Sequence, residues 1–248
     1  MLGRLRRVLA LSAALAALVS GTAPAVEDGY AAHRKRMVQT IERHARSVAD
    51  TLGRKHLDQR VLEVMAKVPR HRFVSERLHD RAYDDRPLPI GYGQTISQPF
   101  IVALMTDLLA VEPNDVVLEV GTGSGYQAAV LAELVQRVCS MEIIPELAAS
   151  ARARLEELGY ANVHTQTGDG YYGWPACGPF DGIVVTAAAS GVPPPLLEQL
   201  KPGGRMAIPV GGPFVLQQMM LVEKLADGRI TTRQLMPVAF VPLTRRKP

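Results

Sequence analysis

The feature that most constrains this chain is the regular exchange of short apolar runs and helical patterns that begins after Asp115. Period and length predict strands over 116–120, 137–142, 163–167 and 182–186. Helices are predicted from about Tyr126, over 145–158 and over 196–200. Strands separated by helices of this length pair in parallel through right-handed crossovers, so the expectation is an α/β fold with a doubly wound, mostly parallel sheet. Pro202-Gly203-Gly204 reads as a tight turn before a strand over 205–210, and strands over 215–222 and 233–239 read as a C-terminal antiparallel pair joined through Asp227-Gly228.

Ahead of this core, residues 31–57 and 61–66 carry apolar positions at helical spacing and predict N-terminal helices. Residues 84–93, with two prolines and two glycines, predict an irregular loop, and 98–110 a further helix. The chain therefore divides into a signal-like segment over 1–25, N-terminal helices and a loop over 26–110, and a catalytic core over 111–248. The last two form one compact domain, as 248 residues allow.

In that core, Gly121, Gly123 and Gly125 alternate at the end of the first strand, where an open parallel sheet binds its ligand and where a backbone without Cβ atoms can turn sharply. A dinucleotide fingerprint needs glycine at the next position, which is Tyr126, and this weakens an NAD-dependent oxidoreductase reading. Glu142, at the end of the second strand, is placed to accept from ribose hydroxyls. Asp169, within Gly168-Asp169-Gly170 at the end of the third, is placed to accept from an adenine amino group. There is no Gly-Lys-Ser/Thr phosphate cradle, and acidic loops suit a sulfonium, so the ligand read from these residues is S-adenosyl-L-methionine.

The remaining composition mostly excludes. Of 28 Lys and Arg, three (Arg4, Arg6, Arg7) lie in the signal-like segment; without them 25 face 24 acidic residues, a net of +1, which gives no reason to expect a nucleic-acid partner. Cys139 and Cys177 form no Cys-x-x-Cys pair and the histidines are scattered, so no metal is expected, and Cys139 reads as a small buried hydrophobe. The basic start, the apolar run over 8–19 and Ala23-Pro24-Ala25 read as a secretory signal too short for an ordinary membrane span, while Met37 offers an alternative start. Export and a cytoplasmic location both stay open. A monomer without stable membrane association is expected.

The sequence closely resembles the protein-L-isoaspartate O-methyltransferase family over about 37–244. The resemblance is carried by Pro87-Leu88-Pro89-Ile90-Gly91, Gly93-Gln94-Thr95-Ile96-Ser97-Gln98-Pro99, Leu118-Glu119-Val120-Gly121-Thr122-Gly123-Ser124-Gly125-Tyr126, Gly168-Asp169-Gly170, Phe180-Asp181, Val184-Val185-Thr186-Ala187-Ala188-Ala189, Gln199-Leu200-Lys201-Pro202-Gly203-Gly204 and Phe240-Val241-Pro242-Leu243-Thr244. The resemblance implies transfer of a methyl group to the free carboxylate of L-isoaspartyl residues in damaged proteins, with D-aspartyl residues an open second class. It implies Ser97 as the active-site serine, with Thr95, Ile96, Gln98 and Thr244 around the substrate. Glu119, Gly121, Thr122, Gly123, Gly125, Glu142, Gly168, Asp169 and Gly170 take the cofactor positions. It also implies a cytoplasmic location, against the signal-like start. Ser97 additionally suits the N-cap of a helix starting at Gln98, with Pro99 in its first turn. A methyltransferase of other specificity and an adenosine-binding module without catalysis are the competing readings.

Overall fold

The computed structural model describes residues 29–212 and 216–245, so the signal-like segment and the start of the strand expected from residue 215 lie outside the described residues. The N-terminal helices are α1 (Ala31–Ser47), α2 (Ala49–Leu52) and α3 (Gln59–Lys67). In α1, Met37, Ile41 and Ala45 bury one stripe at a spacing of four, against α3 and the later helix over Pro99–Leu109. The single helix predicted over 31–57 breaks at Val48, which leaves helical geometry at φ −112° and ψ 17°, and α2 stops at Gly53 with φ +72°. The Asp58 side chain caps α3 by accepting from the Arg60 amide at 2.8 Å.

Residues 84–93 are more ordered than their prolines and glycines predict. β1 (Leu88–Gly91) and β2 (Gln94–Ile96) pair as an antiparallel hairpin. Gly91, Tyr92 and Gly93 all take positive φ, and the two flanking glycines make that turn possible. The helix that follows, α4 (Pro99–Leu109), has Gln98 and not Ser97 at its N-cap position, and the Gln98 side chain makes no capping bond. Its exposed amides are served from a distance: Asp85 accepts from the Phe100 amide at 3.0 Å and from Gln98 Nε2 at 2.9 Å. The hairpin is thereby stitched to the start of α4, and Ser97 sits between the two.

The core runs β3 (Val116–Val120), α5 (Tyr126–Ala132), β4 (Arg137–Glu142), α6 (Pro145–Glu157), β5 (Val163–Thr167), β6 (Phe180–Val185), α7 (Pro194–Gln199), β7 (Leu200–Val210), β8 (Gln217–Lys224) and β9 (Ile230–Val238). The strand order is β5-β4-β3-β6-β7-β8-β9, with the first five parallel and β8 and β9 antiparallel, as the sequence pattern predicts. Pro202-Gly203-Gly204 does not form a separate turn but is absorbed into β7, opposite a register shift between Phe180 and Gly182. Side chains alternate between two apolar layers: Val117 joins the layer under the N-terminal helices, Leu118 and Val120 the other. Cys139 is fully buried as expected, yet it is no isolated hydrophobe, for it is disulfide-bonded to Cys177, with Cα atoms 6.5 Å apart. Among the described residues no helix is long and apolar enough to cross a membrane.

Candidate active site

The direction of the sheet's connections reverses between β3 and β6, which is where open α/β sheets hold ligands. The glycine loop leaves β3 at this point. The Gly121 and Thr122 amides both reach the Met141 carbonyl, at 2.8 and 3.1 Å, and Gly125 closes a turn on the Thr122 carbonyl at 2.8 Å. Gly121, at φ +101°, has no room for a side chain, since a Cβ would collide with Thr186 Oγ1. Thr186 follows β6, and its hydroxyl is shared between the Val120 and Gly121 carbonyls at 3.1 and 2.7 Å, locking the two strand ends together. Gly125 packs on Leu155 of α6, and Arg154 from the same helix donates to the Ser124 carbonyl at 2.8 Å.

Glu142 does two things at once. Its carboxylate accepts from the Gly123 amide at 2.8 Å and from the Ile144 amide at 3.0 Å, so it ties the glycine loop to the loop after β4. Each carboxylate oxygen has a second lone pair, and Glu142 lines a narrow cleft with Gly121, Gly123, Gly170, Ile143 and Ile144. Glycine cradle and acidic rim together fit the adenosine portion of S-adenosylmethionine. Gly170 lies so close to Val120 Cγ1 that a Cβ there would collide with it.

The other residues assigned to the cofactor are placed differently. Glu119 is fully buried beneath the loop, hydrogen-bonded to Ser140, whose hydroxyl in turn meets Thr122 Oγ1 at 2.6 Å. It supports the loop and does not line the cleft. Burial, opposed by the Ser140 bond and reinforced by the Glu142 charge, pushes its carboxyl up to about 8. Thr122 is buried with it, while Gly125 and Gly168 pack against α6 and Met141. Asp169 accepts from the Tyr171 amide at 3.1 Å and is ion-paired with Arg245 at 2.9 Å, and the Arg245 guanidinium lies 3.6 Å from the Tyr171 ring centroid.

Beside the cleft lies a larger cavity of about 550 Å³, walled by His44, Ser47 and Val48, by Thr95, Ser97 and Gln98, and by the chain from Met236 to Val241. Among the described residues no hydrogen bond engages the Ser97 hydroxyl; its carbonyl accepts from Arg70 Nη2 at 2.7 Å. Thr95 lines both spaces, as do Thr186 and Val241. Ile96 is a correction: it alternates away from Thr95 along β2 and is buried in the core at 3 % exposure. Thr244 is a second, since it lines the cofactor cleft with Leu243 and not the cavity of Ser97. The strap after β9 reaches there because Ala188 donates to the Val241 carbonyl and accepts from the Leu243 amide, both at 2.8 Å.

His44, Asp85, Thr186 and Arg245 were not among the residues singled out from sequence. Thr186 stands in one of the stretches that carry the resemblance, which was a usable signal. His44 and Asp85 pair at 2.7 Å across 41 positions, and nothing local marks either.

Comparison with known proteins gives a consistent result. Residues 44–248 match the family model described as Protein-L-isoaspartate(D-aspartate) O-methyltransferase (PCMT). The chain is 62% identical over 230 residues to Protein-L-isoaspartate O-methyltransferase 2 of Syntrophobacter fumaroxidans, covering 93% of each. It is 59% identical to an enzyme of the same name from Polaromonas sp., over 85% of this chain and 100% of that one. Among solved structures, a protein-L-isoaspartate O-methyltransferase superposes with a TM-score of 0.73 at 28% identity, over 84% of this chain; this chain spans only 65% of that one's length. A putative Plasmodium falciparum enzyme of this kind, solved with S-adenosyl-L-homocysteine, shares the fold with a TM-score of 0.70 at 24% identity.

Proposed function

Because the chain belongs to the protein-L-isoaspartate(D-aspartate) O-methyltransferase family, we propose that it methylates the free carboxylate of L-isoaspartyl residues in damaged proteins and peptides, with S-adenosyl-L-methionine as donor, and so starts their repair. The observation that carries this is the junction of the two spaces: the cavity holding Ser97 and the glycine-lined cleft share Thr95, Thr186 and Val241 as walls.

When bound, S-adenosylmethionine supplies a methyl group on a sulfonium that is already activated for transfer. Glu142, Gly121, Gly123 and Gly170 would hold it, and Asp169 is the carboxylate available to accept from its adenine amino group. An isoaspartyl carboxylate is ionised near neutral pH, since carboxyl groups ordinarily titrate near ~4. It is a nucleophile without a general base. What the chain contributes is position and exclusion of water. Ser97 donates a hydrogen bond to the carboxylate and fixes its approach, and no Gly-x-Ser-x-Gly elbow surrounds it to make it a covalent nucleophile. The strap over Val241–Thr244 and the hairpin close the junction. The substrate is a flexible, exposed peptide, and the chain acts on it as a monomer; without Arg4, Arg6 and Arg7 the net charge is +1, which gives no electrostatic reason for a nucleic-acid partner.

Radiolabelled methyl transfer to an isoaspartyl peptide and to its normal aspartyl twin tests the reading. Transfer to the first alone is the expected result; transfer to neither rejects it. A location outside the cytoplasm is favoured by one observation, the Cys139–Cys177 disulfide, since such bonds persist in oxidising compartments. Alkylation of protein taken directly from cells should find no free thiol; two free thiols would return the enzyme to the cytoplasm.

A further inference from the structure

Arg70 is among the largest side chains with essentially no exposure, in a 3-10 turn after Pro69 and far in sequence from every residue of the site. No carboxylate pairs with it among the described residues. Its Nε donates to the Ala82 carbonyl and its Nη2 to the Ser97 carbonyl, each at 2.7 Å. Its Nη1 makes no hydrogen bond among the described residues, and the guanidinium carbon lies 4.8 Å from the centroid of the Tyr126 ring. Burial lowers the basicity of this group, against the pull of Tyr126 and Asp85. An arginine held this way is an expensive means of filling space. A methionine of similar length would pack as well, and replacing buried charge by apolar groups is often neutral or stabilising. What only arginine offers is a rigid fork that can serve two carbonyls at once while its face rests on a ring.

Two of the three contacts, those to Ser97 and Tyr126, reach the two halves of the site. Ser97 belongs to the cavity, and Tyr126 is the first residue of α5, directly after the glycine loop. Tyr126 is itself buried, so the ring is a fixed support. We propose that Arg70 is a positioning residue: it holds the Ser97 backbone in register with the helix that follows the glycine loop, so that a carboxylate bound by the Ser97 hydroxyl is aligned with the methyl donor. It touches neither substrate nor cofactor. This inference rests on the reading of Ser97 as the carboxylate anchor.

The test is Arg70→Met, measured by thermal unfolding, by binding of S-adenosylhomocysteine, and by steady-state methylation of an isoaspartyl peptide. A misplacement of about 1 Å can cost ~10²-fold in rate. The expected result is a folded protein that binds S-adenosylhomocysteine within about 2-fold of wild type but has kcat reduced on the order of 100-fold, with a smaller change in KM. Wild-type kcat in folded Arg70→Met overturns the inference, because packing would then be the whole role. Should that variant fail to fold, Arg70→Lys keeps the charge and can reach one carbonyl, and kcat is expected to fall about 10-fold; unchanged kcat again overturns it. The Ser97→Ala background separates the inference from its premise. Ser97→Ala alone with wild-type turnover would mean that the anchor is misassigned. If Ser97→Ala is impaired and adding the Arg70 change multiplies the loss, Arg70 acts elsewhere; little further loss is the supporting outcome.

Discussion

The two sides of the reaction centre are built in opposite ways. On the cofactor side, Gly121, Gly123 and Glu142 lie within 22 consecutive residues, and their geometry is set by backbone bonds between strand ends. On the substrate side, His44, Ser97 and Phe240 come from α1, the junction of β2 with α4, and the strap after β9, and they meet only because those elements pack. A surface fixed by neighbouring peptide groups can be changed at one residue with local consequences. A wall assembled from remote pieces depends on the residues that hold the pieces together. Mutations should therefore separate cleanly into cofactor and substrate effects on the first side, and on the second should act through position.

The largest effect expected on the cofactor side concerns stability. Glu119 titrates near 8 when folded against a usual 4.5, because burial disfavours its charge. A folded-state value above the unfolded one means that the native state holds the proton more tightly, so stability is full below about 4.5 and falls by about 1.4 kcal/mol per pH unit until the carboxyl ionises near 8. Glu119→Gln mimics the protonated acid and should escape this loss. Denaturant unfolding at pH 5 and pH 9 is expected to show the variant gaining several kcal/mol on wild type; an equal difference at both pH values rejects a neutral Glu119. Next in size is Glu142→Ala, which removes the acceptor proposed for ribose. Bonds to charged groups are worth about 1.5–3 kcal/mol each, so calorimetry should show affinity for S-adenosylhomocysteine falling at least ~100-fold, with the peptide KM little changed. Loss of peptide binding in equal measure would break the separation of the two sides.

On the substrate side, Ser97→Ala removes the one hydrogen bond proposed to hold the substrate carboxylate. A reduction in kcat/KM of about 10- to 100-fold is expected, with cofactor affinity unaltered. If cofactor affinity fell with it, the junction at Thr95 and Thr186 would be transmitting the change, and the two sides would be one.

The same contrast explains what could be read without coordinates. The parallel sheet, its order of elements and the glycine cleft follow from periodicity and from residues adjacent in the chain, and all were legible. So was the burial of Cys139, but not its bond, because Cys177 is 38 positions away and spacing alone carries no pairing. The hairpin at Leu88–Ile96 was hidden because prolines and glycines mark a turn more loudly than three or four residues mark a strand. Glu119 and Asp85 show a subtler limit. An acidic residue beside a glycine loop reads as a ligand, though here it is a buried support, and an acidic residue in a loop reads as solvated, though here it caps a helix and holds His44. Sequence reports the residue type; which way the carboxylate points is decided by packing.

The smallest effect is expected where the strap meets the cofactor side. Arg245 pairs with Asp169 and rests on the Tyr171 ring, so a flat, multiply donating group from the protein's own chain occupies the carboxylate assigned to adenine. The ion pair is open to water on one side only, with 41% of the Arg245 side chain accessible against 7% for Asp169, and solvent at the arginine keeps its contribution small. Arg245→Ala should therefore remove one competitor for the Asp169 carboxylate and tighten S-adenosylhomocysteine only a few-fold, about 2- to 5-fold by calorimetry. Weaker binding instead would show that Arg245 stays in place when the cofactor enters and helps to hold it. In that event the remote strap, which already lines the cleft through Leu243 and Thr244, would also hold the cofactor, and the contrast between a locally built side and an assembled one would narrow to the glycine loop and Glu142.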